Sequence, residues 1–274
     1  MKGILFGGCS FTWGQGLYYY SDLNRLVRPE NEYTYNKDKI TDAHIKFKDT
    51  IRYPRLVANH FKTFEVFKNV NGGSEDETFD FFENILTDPN RRKYLTHFSY
   101  DRYDYDDFDF IIIQLSQMHR NRFYYELDGK TIWSNASPSA DHQDVSKLLK
   151  WMEINNKSTE DWGSDLRNQQ IERLIKQLKF YEDKGIKTII FPWENEMLES
   201  LKSIEYLSSK MVPLVYNNET FDSISLLQEK YNMMKIKYDY SFFGSEPPED
   251  HHPSKLCHEV MANSIIKHIE NKFL

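Results

Sequence analysis

The stretch GILFGGCSFTWGQGL, residues 3–17, joins a short apolar run to a turn that holds four glycines and a Cys-Ser pair. Residues Lys2–Phe6 predict a short buried strand, and the glycines that follow end it. A serine framed by glycines directly after a first strand is typical of a nucleophile, because small neighbours let its hydroxyl stand at a helix N-terminus within reach of a substrate. The alternative is that Ser10 or Thr12 only caps the following helix.

The glycine pattern excludes two phosphate-binding loops. A P-loop requires a Lys followed by Ser or Thr after its last glycine, and a dinucleotide-binding turn requires the spacing Gly-x-Gly-x-x-Gly. The run GGCSFTWGQG, residues 7–16, supplies neither. Nucleophile and helix cap therefore remain as the two interpretations of this motif taken alone.

Outward from this turn, strand-like and helix-like patterns alternate along the chain. Strands are predicted at Lys2–Phe6, Phe64–Val70, Phe108–Ser116, Ile186–Trp193 and Met234–Tyr240, and helices at Arg52–Phe61, Glu77–Leu86, Leu166–Gly185, Phe221–Tyr231 and Ser254–Phe273. Gly185 is predicted to be the C-cap of its helix. Strands separated by helices predict right-handed crossovers and a mainly parallel sheet covered on both faces. The chain is therefore predicted to be an α/β protein, a three-layer α/β/α sandwich with about five strands.

Two stretches interrupt this alternation. Ser21–Thr50 is polar and charged, and Phe123–Ser164 begins with a predicted hairpin, FYYELDGKTIW, that turns at Asp128-Gly129. We expect both to be insertions on one rim of a single domain that spans residues 1–274.

The composition excludes several classes of protein. Lys and Arg total 35 against 42 Asp and Glu, a net charge of −7, so general nucleic-acid binding is not expected. The longest apolar run, Phe110–Leu115, is too short to span a bilayer, and Ile4–Phe6 is too short for a signal peptide. Two cysteines, Cys9 and Cys257, are too few for a disulfide framework. We expect a cytoplasmic protein; the sequence implies no particular oligomeric state.

A second cluster of reactive side chains lies in PPEDHHPS, residues 247–254. A serine becomes a good nucleophile when a histidine takes its proton and an acid orients that histidine. Glu249, Asp250 and His252 lie within a four-residue span and supply both groups. Pro253 biases His252 away from helical geometry, and Ser254 then caps the last helix.

Metal binding is the alternative use of these histidines. His251, His252 and His258 together with Asp250 could form a ligand set. We favour it less, because His258 should lie inside the last helix, where its spacing indicates ordinary packing. Neither a metal nor another cofactor is expected.

Together, GCSFTWGQGL at residues 8–17 and EDHHPS at residues 249–254 resemble the SGNH (GDSL-like) hydrolases, in particular the branch with Gly-Cys-Ser-Phe-Thr in place of Gly-Asp-Ser-Leu. The resemblance runs from the first predicted strand to the last predicted helix, although each motif is short. It implies a flavodoxin-like SGNH hydrolase fold. It also implies that Ser10 is the nucleophile, His252 the general base, and Asp250, or alternatively Glu249, the acid.

The same resemblance implies the donors of an oxyanion hole. NGGSED, residues 71–76, resembles the second block of the family, in which Gly73 would donate its backbone N–H alongside that of Ser10. The third block often reads Gly-x-Asn-Asp, and its asparagine is a further donor, whereas this chain has QLSQ at residues 114–117. Ser116 or Gln117 would replace that asparagine, or activity would be weak, since losing one donor costs roughly 3 kcal/mol.

The expected function is that of a serine esterase. Its substrate would be an ester, such as an O-acetyl group, on a carbohydrate or similar polar small molecule, because the insertions are rich in Tyr and Trp. The alternative is a catalytically weak or inactive module that binds or assembles, for which the altered third block argues. Cys9, beside Ser10, is interpreted as a packed residue. His119 and Arg120 could hold an acidic or sugar-like substrate, or simply lie on the surface.

Overall fold

A computed structural model of the chain describes residues 1–8, 12, 17, 42–67, 74–87, 103–116, 121–134, 145–195, 197–231 and 253–274. The strands are β1 (Gly3–Gly7), β2 (Glu65–Phe67), β3 (Phe108–Leu115), β4 (Phe123–Leu127), β5 (Lys130–Ser134), β6 (Lys187–Pro192), β7 (Leu214–Tyr216) and β8 (Glu219–Phe221). The helices are α1 (Asp42–Ile51), α2 (Tyr53–His60), α3 (Glu75–Thr87), α4 (Val145–Ile154), α5 (Thr159–Asp183), α6 (Leu198–Ser203), α7 (Glu205–Ser208), α8 (Ile224–Tyr231) and α9 (Lys255–Phe273). A short 3₁₀ helix, Tyr105–Asp107, precedes β3. No helix among these is long and apolar enough to cross a membrane.

The central sheet is parallel and has the strand order β2-β1-β3-β6. Leu5 pairs with both Val66 and Ile111, and Ile113 pairs with Ile190. The order follows the first four positions of a flavodoxin-like sheet, in which the chain winds outward in both directions from the first strand. Four of the five predicted strands are thus confirmed. The fifth, Met234–Tyr240, lies outside the described residues.

Alternate residues of the strands enter two separate cores, one on each face of the sheet. On one face, side chains such as Ile4, Phe110 and Phe191 pack with α2, α8 and α9. On the other face, side chains such as Leu5, Ile111 and Ile190 pack with α3, α5, α6 and α7. A strand buried on both faces is apolar at most positions, which explains the run FIIIQL. The α/β fold with helices on both sides of a parallel sheet is confirmed.

Helix boundaries differ from the prediction where capping decides them. The helix predicted from Leu166 begins at Thr159, because Ser158 and Asp161 form a reciprocal capping box. Its C-cap is Lys184, not Gly185. Gly185 follows with φ of +83°, and the N–H groups of Gly185 and Ile186 donate to the carbonyls of Glu182 and Tyr181. This is a Schellman ending, in which glycine occupies the position after the cap.

Two hairpins lie beside the central sheet. The predicted one, β4–β5, is confirmed, and it turns through Asp128 and Gly129 at φ of +52° and +71°. Its inner face forms a third apolar cluster with α4 and the start of α5. The second hairpin, β7–β8, was not predicted, and it takes Phe221 out of the helix expected at Phe221–Tyr231.

A buried ion pair connects α2 to the edge strand β2. Arg52 Nη2 donates to Glu65 Oε1 at 2.6 Å, and both side chains are at most 2% exposed. Arg55 Nε donates to the same oxygen at 3.0 Å. Burial raises the pKa of Glu65 and lowers that of Arg52, and each charge offsets the other's shift. The attraction between the two charges offsets part of the free energy that is lost when both are removed from water.

Glu65→Ala is expected to lower the free energy of unfolding by up to about 3–5 kcal/mol, because it leaves the buried Arg52 guanidinium with only the longer Asp49 contact, at 3.5 Å from its Nε. Lys150→Ala, which breaks the exposed Lys150–Asp128 pair, is the matched control and should cost less than about 1 kcal/mol. Urea unfolding followed by circular dichroism measures both. Equal effects in the two variants would contradict the argument.

Candidate active site

Three of the four loops predicted to carry the chemistry follow strands whose carboxyl ends lie at the same edge of the parallel sheet. Gly8 follows β1, Ser116 follows β3, Ser74 precedes α3, and Ser254 caps α9. Of the residues predicted to form the triad and the oxyanion hole, Ser116 lies within the described ranges, as do Thr12 and His258 from the alternative interpretations. The other site residues singled out from the sequence lie outside those ranges: Cys9, Ser10, Gly73, Gln117, His119, Arg120, Glu249, Asp250, His251 and His252.

Gly8 brings the backbone of the first turn close to β3. Its φ is +152°, a conformation that residues with a Cβ rarely adopt. A Cβ at this position would lie 2.1 Å from Thr12 Oγ1 and 2.9 Å from Gln114 Oε1. Glycine is therefore required here both by conformation and by space.

Thr12 links this turn to the last helix. Its hydroxyl is buried and lies 2.9 Å from the Tyr53 hydroxyl, with longer contacts to Gly7 O and Gln114 Oε1. The Tyr53 backbone N–H donates to Nδ1 of His258 at 3.2 Å, and the two rings stack at 5.9 Å. Since Thr12 follows Ser10 by two residues and His258 lies in the first turns of α9, Tyr53 ties the serine turn to the helix that begins just after His252.

His258 lies inside α9 and is fully buried, as predicted. Because its Nδ1 accepts a hydrogen bond, that nitrogen carries no proton, and the ring is the Nε2–H tautomer when neutral. Its neighbour Cys257 is also fully buried, and burial raises the pKa of this thiol to about 12. A thiol with that pKa is protonated at neutral pH, so Cys257 is no nucleophile.

Ser116 is held by Glu75, the first residue of α3. The Ser116 N–H donates to Glu75 Oε1, and its hydroxyl lies 3.1 Å from Glu75 Oε2. Ser116 is 5% exposed. Burial raises the pKa of the Glu75 carboxyl, and the hydrogen bonds that it accepts oppose this rise. Ser116, which was predicted to be an oxyanion donor, is therefore already hydrogen-bonded to the Glu75 carboxyl group.

The chain returns to α3 five residues after Ser116. The Asn121 side-chain oxygen accepts the N–H of Glu75 at 2.9 Å and that of Asp76 at 3.4 Å. Asp76 Oδ2 accepts the N–H of Arg122 at 2.6 Å and lies 3.4 Å from Arg173 Nη2. Burial raises the pKa of Asp76, and the bond from Arg122 opposes that rise. Acids suit this place because a helix N-terminus carries partial positive charge.

Sequence reasoning missed these supporting residues. Glu75 and Asp76 belong to the quoted turn NGGSED, and Asn121 directly follows LSQMHR, but neither pattern indicated that the two turns bind each other. Two acids in the first turn of a helix are a common surface feature. Their burial, and hence their role, depends on which strand end lies opposite.

Metal ligands of the usual kinds do not gather in the described part of the chain. No group of three or more His, Cys, Asp or Glu side chains there could hold a metal ion.

Gly8→Ala is expected to destabilise the fold by about 1–3 kcal/mol, because it forces a side chain into a conformation reserved for glycine and against Thr12. Gly163→Ala is the control, since a Cβ at that position in α5 meets nothing within 4 Å. Replacing a helical glycine by alanine should stabilise by about 0.5–1 kcal/mol. Chemical denaturation should show a lower free energy of unfolding for Gly8→Ala and a higher one for Gly163→Ala.

Two solved structures are similar to the chain over 99% of its length. One is a carbohydrate esterase whose active site displays divergent catalytic and non-catalytic binding functions; its TM-score is 0.48, its identity is 16%, and the match covers 69% of that chain. The other is an active-site mutant of a family two carbohydrate esterase from Clostridium thermocellum, with a TM-score of 0.38, 13% identity and 64% of that chain covered. No protein-family profile and no curated protein sequence matches the chain.

Proposed function

We propose that the protein is a serine esterase of the SGNH type that removes an acyl group, such as acetyl, from a carbohydrate or similar polar molecule. Ser10 attacks the ester carbonyl, His252 accepts the serine proton and passes it to the leaving alcohol, and Asp250 or Glu249 orients the histidine. Water then attacks the acyl-enzyme with His252 as base, which returns the free serine and releases the acid.

The contact chain Thr12–Tyr53–His258 carries this proposal. It fixes the backbone two residues beyond Ser10 against the helix that starts three residues after His252. The serine and the histidine are more than 240 residues apart in sequence, so a triad needs such a connection. A chain in which Ser10 were only a helix cap would not need one.

The second and third turns also meet, which supports an oxyanion site between them. Glu75 lies two residues after Gly73 and binds both polar hydrogens of Ser116. Gly73, Ser10 and either Ser116 or Gln117 are the proposed donors. With its hydroxyl on Glu75, Ser116 is the weaker candidate of the last two, and we favour Gln117.

The substrate class is supported by the outer face of the β4–β5 hairpin, which follows the third turn directly. Tyr124 and Trp133 are cross-strand partners on that face, and Trp133 is 52% exposed. The Arg122 guanidinium lies 5.0 Å from the Trp133 ring centroid. A sugar presents a C–H face and hydroxyl groups. An exposed aromatic ring can pack against the C–H face, and a neighbouring guanidinium can donate hydrogen bonds to the hydroxyls.

One observation favours a second candidate, a binding or assembly module with this fold and little activity. The Glu75 carboxylate occupies both hydrogen-bond donors of Ser116 at the place where the resemblance implies an oxyanion donor. A negative charge there would oppose the negative charge of a tetrahedral intermediate.

Labelling with a fluorophosphonate probe tests the proposal. The probe forms a covalent bond to an activated serine, and mass spectrometry of the peptide that contains residues 9 and 10 locates it. We expect stoichiometric labelling of Ser10, and denatured protein serves as the control. An absence of labelling on the native protein would favour the binding module.

A further inference from the structure

The first turn of α3 binds both ends of the segment that follows β3. Glu75 accepts two hydrogen bonds from Ser116 at one end, and Asp76 accepts the N–H of Arg122 at the other. Asn121 completes the arrangement, since its side-chain oxygen accepts the N–H groups of Glu75 and Asp76. We call these five residues the clamp.

The clamp is built mainly from buried groups. Asp76, Ser116 and Asn121 are each at most 8% exposed, and Glu75 is partly buried. A buried carboxylate without partners is strongly unfavourable, and here each acid accepts a backbone N–H. Ser74 and Glu77 form a reciprocal cap at the same helix start, so the helix needs neither Glu75 nor Asp76 to cap itself. The two acids are free to bind another segment.

The clamp connects two turns that the proposed function uses. Gly73 directly precedes the helix start that carries the acids, and Gln117 directly follows Ser116. The contacts of Ser116 and Asn121 with one helix end restrain the chain next to the predicted donors of the second and third turns. Oxyanion stabilisation depends on such distances, because donors act only within hydrogen-bond reach of the developing charge.

We propose that Glu75 and Asp76 are positioning residues that hold the turns after β2 and β3 in register, so that the donors of the oxyanion site act as one preformed unit. The inference rests on the proposed esterase function and adds residues that touch no substrate. Arg173 supports the clamp from α5, since its guanidinium lies beside Asp76 and donates to the Arg122 carbonyl.

Glu75→Ala tests the proposal by kinetics on p-nitrophenyl acetate. We expect kcat per folded molecule to fall about 10- to 100-fold with KM within threefold of wild type, because small misplacements of catalytic groups carry losses of that size. Glu75→Gln keeps the shape of the side chain and one acceptor oxygen, so its kcat should fall less than that of Glu75→Ala. It replaces the alanine variant if that variant does not fold. Glu83→Gln, on the exposed side of the same helix, is the control and should match wild type.

Amide hydrogen exchange of the peptide spanning residues 114–123 gives a readout independent of turnover. Glu75→Ala should raise exchange in this peptide about tenfold or more, and Glu83→Gln should leave it unchanged. Wild-type kcat in a folded Glu75 variant would overturn the positioning role, whether or not exchange rises. A fall in kcat without any rise in exchange would overturn the clamp as its cause.

Different results would refute the esterase function and the positioning role of Glu75. A wild-type protein without Ser10-dependent turnover refutes the esterase, and the positioning role falls with it, while the exchange result still decides whether the clamp holds the chain. A wild-type protein that turns over, with Glu75 variants that turn over equally well, refutes the positioning role alone.

Discussion

Ser10→Ala is expected to lower kcat for p-nitrophenyl acetate by about 10³-fold or more, since removing the nucleophile of a triad leaves only the contribution of binding and the oxyanion site. KM should change little, because the hydroxyl adds almost nothing to ground-state binding. The loss should appear in protein that unfolds at the wild-type temperature. Active-site titration of the wild-type protein gives the concentration of its active molecules, and circular dichroism checks that the variant is folded.

Cys9→Ala is the matched control for this experiment, because it changes the adjacent residue and removes the thiol beside Ser10. Turnover within a few-fold of wild type is expected. A thiol nucleophile would give the reverse pattern, in which Cys9→Ala loses turnover and Ser10→Ala keeps it. Equal turnover in wild type and both variants would show that the chemistry lies elsewhere.

Tyr53→Ala is expected to lower the free energy of unfolding by about 3–5 kcal/mol, the usual loss when a large buried aromatic side chain is truncated. Tyr53 is fully buried between Phe6 and Phe191, with ring centroids at 5.8 and 5.5 Å in edge-to-face geometry. For a chain of this length the melting temperature should fall by roughly 10 °C. Differential scanning calorimetry measures it.

Tyr53→Phe separates the packing of the ring from its hydrogen bond. It keeps the aromatic contacts and removes the hydroxyl that Thr12 contacts at 2.9 Å, so a loss of about 1–2 kcal/mol is expected. Leu149→Ala, at a side chain 47% exposed on α4, should stay within about 0.5 kcal/mol of wild type. If Tyr53→Phe is as unstable as Tyr53→Ala, the hydrogen bond rather than the packing dominates.

The predictions for Ser10 and Tyr53 concern the same edge of the central sheet. Tyr53 sits between the turn that carries Ser10 and the helix that follows His252, and the clamp connects the other two turns at the same edge of the sheet. If the proposed triad is correct, stability and turnover should be coupled at this edge. Substitutions in Tyr53 are expected to affect turnover through the position of the first turn, and kinetics should be measured well below the lowered melting temperature.

Local patterns predicted the fold well where burial is complete. The runs around Phe6, Ile112 and Ile190 consist mainly of apolar residues because helices cover both faces of the sheet, and such runs favour buried parallel strands. The hairpin turn at Asp128-Gly129 was predicted for a similar reason, since few sequences accept two successive residues at positive φ. The prediction was wrong where one local pattern fits more than one structure. Phe221 was expected to begin a helix, but it lies in the β7–β8 hairpin, and the helix begins at Ile224.

The sequence by itself determined the order of the four central strands and the glycine that follows the first of them, and it contains the two motifs on which the proposed serine, acid and histidine triad rests. Periodicity and turn chemistry act within a few residues, so they can be found along the chain. Only the tertiary structure decided that Tyr53 joins the serine turn to the last helix, and that Glu75, Asp76 and Asn121 bind the turns after β2 and β3 to each other. These contacts join segments about 40 to 200 residues apart, and a buried carboxylate differs from an exposed one only in what the fold places against it.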